Sequence, residues 1–436
     1  MSADIKEIHK EFLKSKGICT DTRQLAPECF FVALKGDNFD GNAFVLEALK
    51  KGAKTILMEG STSYNDVSLA PYRSQIFFVD NTLESLQDLA RFHRKYLNLP
   101  LIALTGSNGK TTTKELLHAT LSKQFSCIAT SGNLNNHIGV PLTLLRMNKQ
   151  TEIGIIEMGA NHQGEIAELC RIAMPNFGFI TNFGKAHLEG FGGEEGVIRG
   201  KSELITYHKK NGGLMFIQFT DEKQMQLTQG LNRVIINENV VRTRIESDTE
   251  ILSISGPEGP INSQMIGSYN VSNIIAAIEI ALYFKVPWLK IKNAIEDYQP
   301  SMNRSQVIKL DMYYVIMDAY NANPSSMVAA LENFSKLKKR SRSTVILGDM
   351  LELGKASERE HQAILDRACQ LNFDNILLAG SNFEKTHCHD KRVQIFSSYE
   401  ALEAYLIKEP PSYGRVLIKG SRGMALERLL EKVFVG

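Results

Sequence analysis

Short apolar runs recur along the chain. Each is closed by a polar residue or a glycine, and stretches with helical spacing separate them. Phe30 to Leu34 is apolar and rich in strand formers; "GDNFDG" follows as a turn, and "AFVLEALKKGA" has helical spacing with a glycine stop. Leu101 to Leu104 reads as a buried strand before a glycine loop and a long helix. "GIIEMG" ends a strand at Glu157, and "FGFITNFG" ends one near Asn182. Beyond residue 303 the strand candidates are "YYVIMD", "STVILGD", "NILLAG" and "RVLIKG". This alternation predicts an α/β protein with parallel sheets flanked by helices. Ligands bind at the carboxyl ends of such strands. The loop 105–111, Glu157 and the loop 182–193 are therefore expected along one edge.

Three domains follow. Residues 1–98 form a smaller N-terminal α/β block, and 99–302 a central domain with a P-loop-type parallel sheet. Residues 303–436 form a Rossmann-like C-terminal α/β domain. The join, "DYQPSMNRSQ", holds Pro300 among polar residues and suits a hinge. Composition adds little. The 436 residues are 43% hydrophobic and 22% charged, ordinary for a soluble globular protein. A net charge of +2 supplies no basic field for nucleic acid. The polar N-terminus reads as neither a signal peptide nor a membrane anchor, and no run matches a membrane span. The six cysteines are scattered without a C-x-x-C and read as reduced thiols of a cytoplasmic protein. "HCHD" at 387–390 has no second cluster to complete a metal site.

The chemistry starts at "LTGSNGKTTTKE". A strict phosphate-loop pattern needs a glycine at 104, where this chain has Leu104. Gly106, Ser107, Asn108 and Gly109 can still turn N–H groups onto a phosphate, ahead of a helix dipole. Lys110 can reach the terminal phosphates, Thr111 can hold Mg²⁺, and Thr112 continues the helix start. Glu157, ending a buried strand beside this loop, is placed as a metal-holding acid. His187 reads on its own as a loop histidine and Lys201 as a solvated helical lysine. Asn270 and Asn273 open an apolar helix, as caps or as readers of a base or ribose. Asp318, Asn321 and Asn323 fit a plain turn before Pro324. Asp349 and Lys419 are expected at the lips of the third domain.

The order of motifs changes these readings. "TGSNGKTT", "GNLNNHIGVPLTLL", "EMGANHQGEI", "AHLEGFGG", "DAYNANPSS", "LGDMLELG" and "KGSRGM" together resemble the Mur ligases of bacterial cell-wall synthesis, nearly end to end. "DTRQLAPECFFVALKGDNFDGNAF" extends the likeness into the N-terminal block. D-A-Y-N-A-N-P, where the tripeptide-forming branches have D-Y-A-H-x-P, favours the dipeptide-adding branch. The resemblance implies a cytoplasmic, monomeric ATP-dependent ligase of peptidoglycan synthesis, with the small molecules UDP-N-acetylmuramoyl-tripeptide and D-Ala-D-Ala as substrates. It implies ATP and two Mg²⁺ ions, one at Thr111 and Glu157, the other at His187 and a carbamylated Lys201. Lys110, Lys201, His187 and Glu157 are its catalytic set. Asn270, Asn273, Arg304 and Asp318 join the loop residues in holding ATP. Thr22, Arg23, Lys35, Asn135 and Asn136 fall to the UDP-muramoyl substrate, and Asn321 and Asn323 to the dipeptide. Two positions depart from the family. Tyr269 stands where a histidine is usual, and Met317 replaces the first of two aspartates. A P-loop kinase or a nucleotide-sensing protein would explain the loop and Glu157, but not Lys201, His187 or a third domain. A folylpolyglutamate-type ligase would leave the N-terminal block and "NANP" unexplained.

Overall fold

The computed structural model describes residues 4–434 except 37, 61–65, 237–241, 246–251, 302 and 338–341, with only the backbone of 242–245. The N-terminal sheet has four parallel strands in the order Ile18–Cys19, Phe30–Val32, Thr55–Glu59 and Ile76–Val79. The "GDNFDG" stretch is more than a turn, because Lys35–Gly36 and Phe39–Asp40 pair as a small hairpin. The last helix of this block, Thr82–Leu97, starts where Asn81 Oδ1 accepts from the Leu83 and Glu84 amides at 2.9 and 3.0 Å. Asn98, at φ 48°, stops it in the left-handed conformation that asparagine tolerates. This helix packs on Gly139–Leu145 and Glu165–Ala173 of the next sheet layer.

The central sheet has six parallel strands, ordered Arg233–Ile236, Leu214–Gln218, Phe177–Ile180, Leu101–Thr105, Ile153–Glu157 and Cys127–Ala129. Leu101–Thr105 lies in its middle and is buried throughout. Its side chains alternate between two cores: Leu101 and Ala103 join one cluster, Ile102 and Leu104 the other. That double burial explains an unbroken apolar run where a one-sided strand would alternate. The register pairs Leu104 with Glu157 and Thr105 with Ile180, so the strand ends are level. A three-stranded antiparallel sheet, Arg242–Ile245, Leu252–Gly256 and Gly259–Ser263, packs through its last strand on the helix Trp288–Asp297.

The C-terminal sheet runs Gln306–Lys309, Tyr313–Asp318, Gly414–Lys419, Arg342–Gly348, Asn375–Ala379 and Val393–Phe396. The first strand is antiparallel to its neighbour and the rest are parallel. Alternation along Tyr313–Asp318 puts Met317 in the apolar core, fully buried, and leaves Asp318 at the strand end. The missing first aspartate is therefore a core residue here, on the other face of the strand from Asp318.

Candidate active site

One cleft of about 630 Å³ collects the carboxyl ends of the central strands on one side and those of the third sheet on the other. Ser107 to Thr112, Asn135, Asn136, Glu157, His187, Asn270, Asn273, Arg304, Asp318, Asn321 and Asn323 all line it. The phosphate loop owes its shape to Gly106 at φ 145° and Gly109 at φ 79°. A Cβ on Gly106 would fall 1.9 Å from Thr181 Oγ1, and one on Gly109 2.5 Å from Asn273 Oδ1. Only glycine fits either place.

Asn182, in the sequence only the polar end of a strand, holds this loop from behind. The Asn108 amide donates to Asn182 Oδ1 at 3.1 Å, and Asn182 Nδ2 donates to Asn108 O at 3.0 Å. Thr181 Oγ1 donates to the same carbonyl at 2.6 Å. Asparagine closing "FITN" at the shared edge was the available signal. Asn273 accepts from Thr113 Oγ1 at 3.1 Å and donates to Asn270 Oδ1 at 3.0 Å, so the two asparagines brace the loop and its helix as well as facing the cleft. Lys110 Nζ curls onto Gly106 O and Ser107 O at 2.7 and 3.2 Å. Burial pushes its ammonium below the usual lysine range, Glu157 opposes that, and Arg304 adds to it.

Glu157 is 1% exposed. Its Oε1 accepts from Thr111 Oγ1 at 3.1 Å and Asn135 Nδ2 at 2.8 Å. Its Oε2 is buried without a hydrogen-bond partner, with Lys114 Nζ 3.9 Å away. Such an oxygen beside a threonine hydroxyl and a phosphate loop fits a divalent cation.

Lys201 is fully buried, against its bland reading as a solvated residue. It sits one layer behind the cleft wall. Its Nζ donates to Ala160 O at 3.1 Å and lies 4.9 Å from the centre of the Phe191 ring. Burial lowers its pKa strongly, Lys110 adds to that, and Glu165 and Glu203 oppose it. The amine is therefore held toward its neutral form. His187, at φ 53°, opens the short helix Leu188–Phe191, and the Glu352 carboxylate of the third domain lies against its Nδ1.

From the third domain, Asp318 Oδ2 accepts from Lys419 Nζ at 2.6 Å, and its Oδ1 from the Ser305 amide at 3.0 Å. Tyr269, the departure from the family's histidine, bonds Ser305 Oγ at 2.7 Å. Burial first, then Asp318, raises its phenol pKa. The Arg304 guanidinium stacks 3.6 Å over Tyr320. Asn323 Oδ1 accepts from the Ser326 amide at 2.9 Å, and its Nδ2 donates to Asn108 Oδ1 at 2.8 Å.

Other expected residues lie elsewhere. Thr22, Arg23 and Lys35 stay in the N-terminal block, outside this cleft. Thr22 is buried, Arg23 pairs with Asp21 at 2.6 Å, and Lys35 stands 4.0 Å from Glu59. Asp349 is not at the lip. It is 3% exposed and caps the turn at 382–383, accepting from the Asn382 and Phe383 amides, both at 3.0 Å. Lys419 does reach the cleft. The scattered cysteines include one close pair, Cys369 and Cys388, with sulfurs 3.5 Å apart. No helix among the described residues is long and apolar enough to cross a membrane.

Residues 104–281 match the Mur ligase middle domain, and 303–422 the Mur ligase, glutamate ligase domain. A UDP-N-acetylmuramoyl-tripeptide–D-alanyl-D-alanine ligase of Bacillus subtilis is 34% identical over 434 residues, covering 95% of this chain and 92% of the relative. The structure of MurF from Acinetobacter baumannii superposes with a TM-score of 0.84 at 28% identity, covering 100% of this chain and 99% of that one. MurF ligase from Thermotoga maritima, solved in complex with ADP, gives 0.81 at 27% identity and covers 97% of each chain.

Proposed function

The chain belongs to the Mur ligase family, and from that premise we propose that it joins D-alanyl-D-alanine to UDP-N-acetylmuramoyl-tripeptide with cleavage of ATP. The observation that carries this reading is the single cleft, in which a phosphate loop, a buried acid with an orphan oxygen and the strand ends of a second sheet face one another.

The tripeptide carboxylate attacks the γ-phosphorus of ATP, giving an acyl phosphate and ADP. The dipeptide amine then attacks the acyl carbon, losing a proton, and phosphate departs. Lys110 leaves the loop carbonyls to meet the terminal phosphates as the transferred charge shifts. The loop amides from Gly109 to Thr111 hold the phosphates, those of Ser107 and Asn108 join them once they leave Asn182, and Arg304 and Asp318 reach the nucleoside end from the third domain. Asn135 and Asn136 face the muramoyl tripeptide, and Asn321 the dipeptide. Divalent cations at Thr111 and Glu157, and at His187 and a carbamylated Lys201, would screen the two anions that must meet. Burial favours the neutral form of the Lys201 amine, and that form adds CO₂, releasing a proton and leaving a carbamate. Docking of the third domain excludes water from the acyl phosphate.

We assign residues 1–98 to the UDP-sugar end, with Thr22, Arg23 and Lys35 on that surface, 99–302 to ATP and 303–436 to closure and the dipeptide. Phosphate release from purified protein tests the reading. Release should require ATP, UDP-muramoyl tripeptide and D-Ala-D-Ala together, and an equal rate without the dipeptide would reject it.

A further inference from the structure

Both polar groups of Asn323 have partners. Its Oδ1 caps the helix Pro324–Lys336 through the Ser326 amide at 2.9 Å, and the Ser326 hydroxyl completes a capping box by accepting from the Asn323 amide at 3.1 Å. Its Nδ2 crosses to the central domain and donates to Asn108 Oδ1 at 2.8 Å. Asn323 is 8% exposed, so this bond is shielded from water. Its receiver is a firmly held residue of the phosphate loop. The backbone of Asn108 is clamped on both sides by Thr181 and Asn182. Asn108 stands two residues before Lys110, so a loop that reshapes around a phosphate must move or reorient the Asn108 amide.

Other contacts lie along the same seam. The Lys185 amide donates to Ser325 Oγ at 3.0 Å, and the Glu189 amide to Glu352 O at 3.2 Å. Neither touches the phosphate loop. The Asn323–Asn108 bond is the direct hydrogen bond between the third domain and that loop among the described residues.

We propose that Asn323 is a positioning residue that couples docking of the third domain to the state of the phosphate loop, rather than a ligand of the incoming dipeptide. This rests on the assignment of ATP to the cleft. Nucleotide touches groups from both domains, so a bond that favours the docked arrangement raises nucleotide affinity before any dipeptide arrives.

Asn323→Ser separates the two jobs of the side chain. Serine caps a helix about as well as asparagine but is too short to reach Asn108. Binding of a non-hydrolysable ATP analogue with Mg²⁺ is measured by calorimetry on the full chain, without dipeptide. The expected result is affinity weakened about fivefold, the worth of one hydrogen bond, with an unchanged melting temperature. Small-angle scattering of the nucleotide-free variant should show a larger radius of gyration than the wild type. Asn323→Ala, which loses the cap too, should add a fall in melting temperature. Analogue affinity and radius equal to wild type in Asn323→Ser would overturn the coupling. A raised KM for D-Ala-D-Ala with unchanged analogue affinity would instead make Asn323 a dipeptide ligand. Failure of the wild-type protein to bind the analogue would reject the ATP assignment itself.

Discussion

Replacing Gly106 with alanine probes the phosphate loop where its shape is most constrained. The backbone there has φ 145°, which side-chain-bearing residues rarely adopt. Forcing alanine into it costs about 1–3 kcal/mol. The new Cβ would sit 1.9 Å from Thr181 Oγ1 and 3.0 Å from the Thr181 amide nitrogen. Thr181 is 6% exposed and cannot swing into solvent. Its hydroxyl must turn away, breaking the 2.6 Å bond to Asn108 O, at about 1 kcal/mol. The total is about 2–4 kcal/mol, divided between two observables. A loop that relaxes in the free protein must be restored by ATP, and the Kd then rises by about 30- to 900-fold. A loop that stays put lowers the melting temperature instead. Calorimetric titration with a non-hydrolysable ATP analogue, run beside thermal unfolding, measures both shares. Gly230→Ala is the control. It has φ 77° and no atom within 4 Å of the added Cβ, so it should cost about 1 kcal/mol of stability and leave affinity unchanged. Gly106→Ala matching wild type in both measurements would refute the reasoning.

Three further outcomes follow from the same geometry. His9, on the helix Ile5–Phe12, meets His93 Nδ1 through its Nε2 at 3.0 Å, and burial followed by the charge of His93 lowers the His9 pKa from 6.5 to about 4. His93 shifts the same way, mainly through burial. The unfolded chain protonates near pH 6.5 while the folded one resists, so stability present above that pH is lost as pH falls. Urea unfolding should show about 2 kcal/mol less stability at pH 5 than at pH 7 from His9 alone, and a flat profile would contradict the burial. Lys201→Ala should lose at least about 100-fold in phosphate release and recover part of it with formate or acetate. Full activity of that variant without additive would sink the carbamate. Asp318→Asn removes the carboxylate paired with Lys419, which is 2% exposed and keeps only its bond to Asn321 O, and should destabilise the protein by about 3 kcal/mol. Asp318→Asn with Lys419→Met should regain most of that loss in the same denaturation assay.

Much of the fold and the loop was written locally. Apolar runs such as Leu101 to Leu104 and Tyr313 to Asp318 had to be doubly covered strands, because no water-facing strand carries such a run. Gly106 and Gly109 announced a loop that side chains cannot enter. The place of Glu157, a carboxylate closing a buried strand beside the loop, was legible because the apolar run ends on it. Lys201 and Asn323 were not legible from their own surroundings. A lysine in "GVIRGKSEL" looks solvated until Phe191 and Ala160 fold over it. Asparagine before Pro324 looks like a cap, and it is one. Only the crossing of domains hands its amide a second partner, 215 positions away in sequence. Spacing along a chain governs which residues share an element and its end. It does not carry the packing of one domain against another, which depends on contacts between residues far apart in sequence. The sequence thus determined the sheets, the loop and the strand-end acids, and the tertiary structure decided that Lys201 is buried, that Glu157 keeps an orphan oxygen and that the Asn323 amide joins two domains.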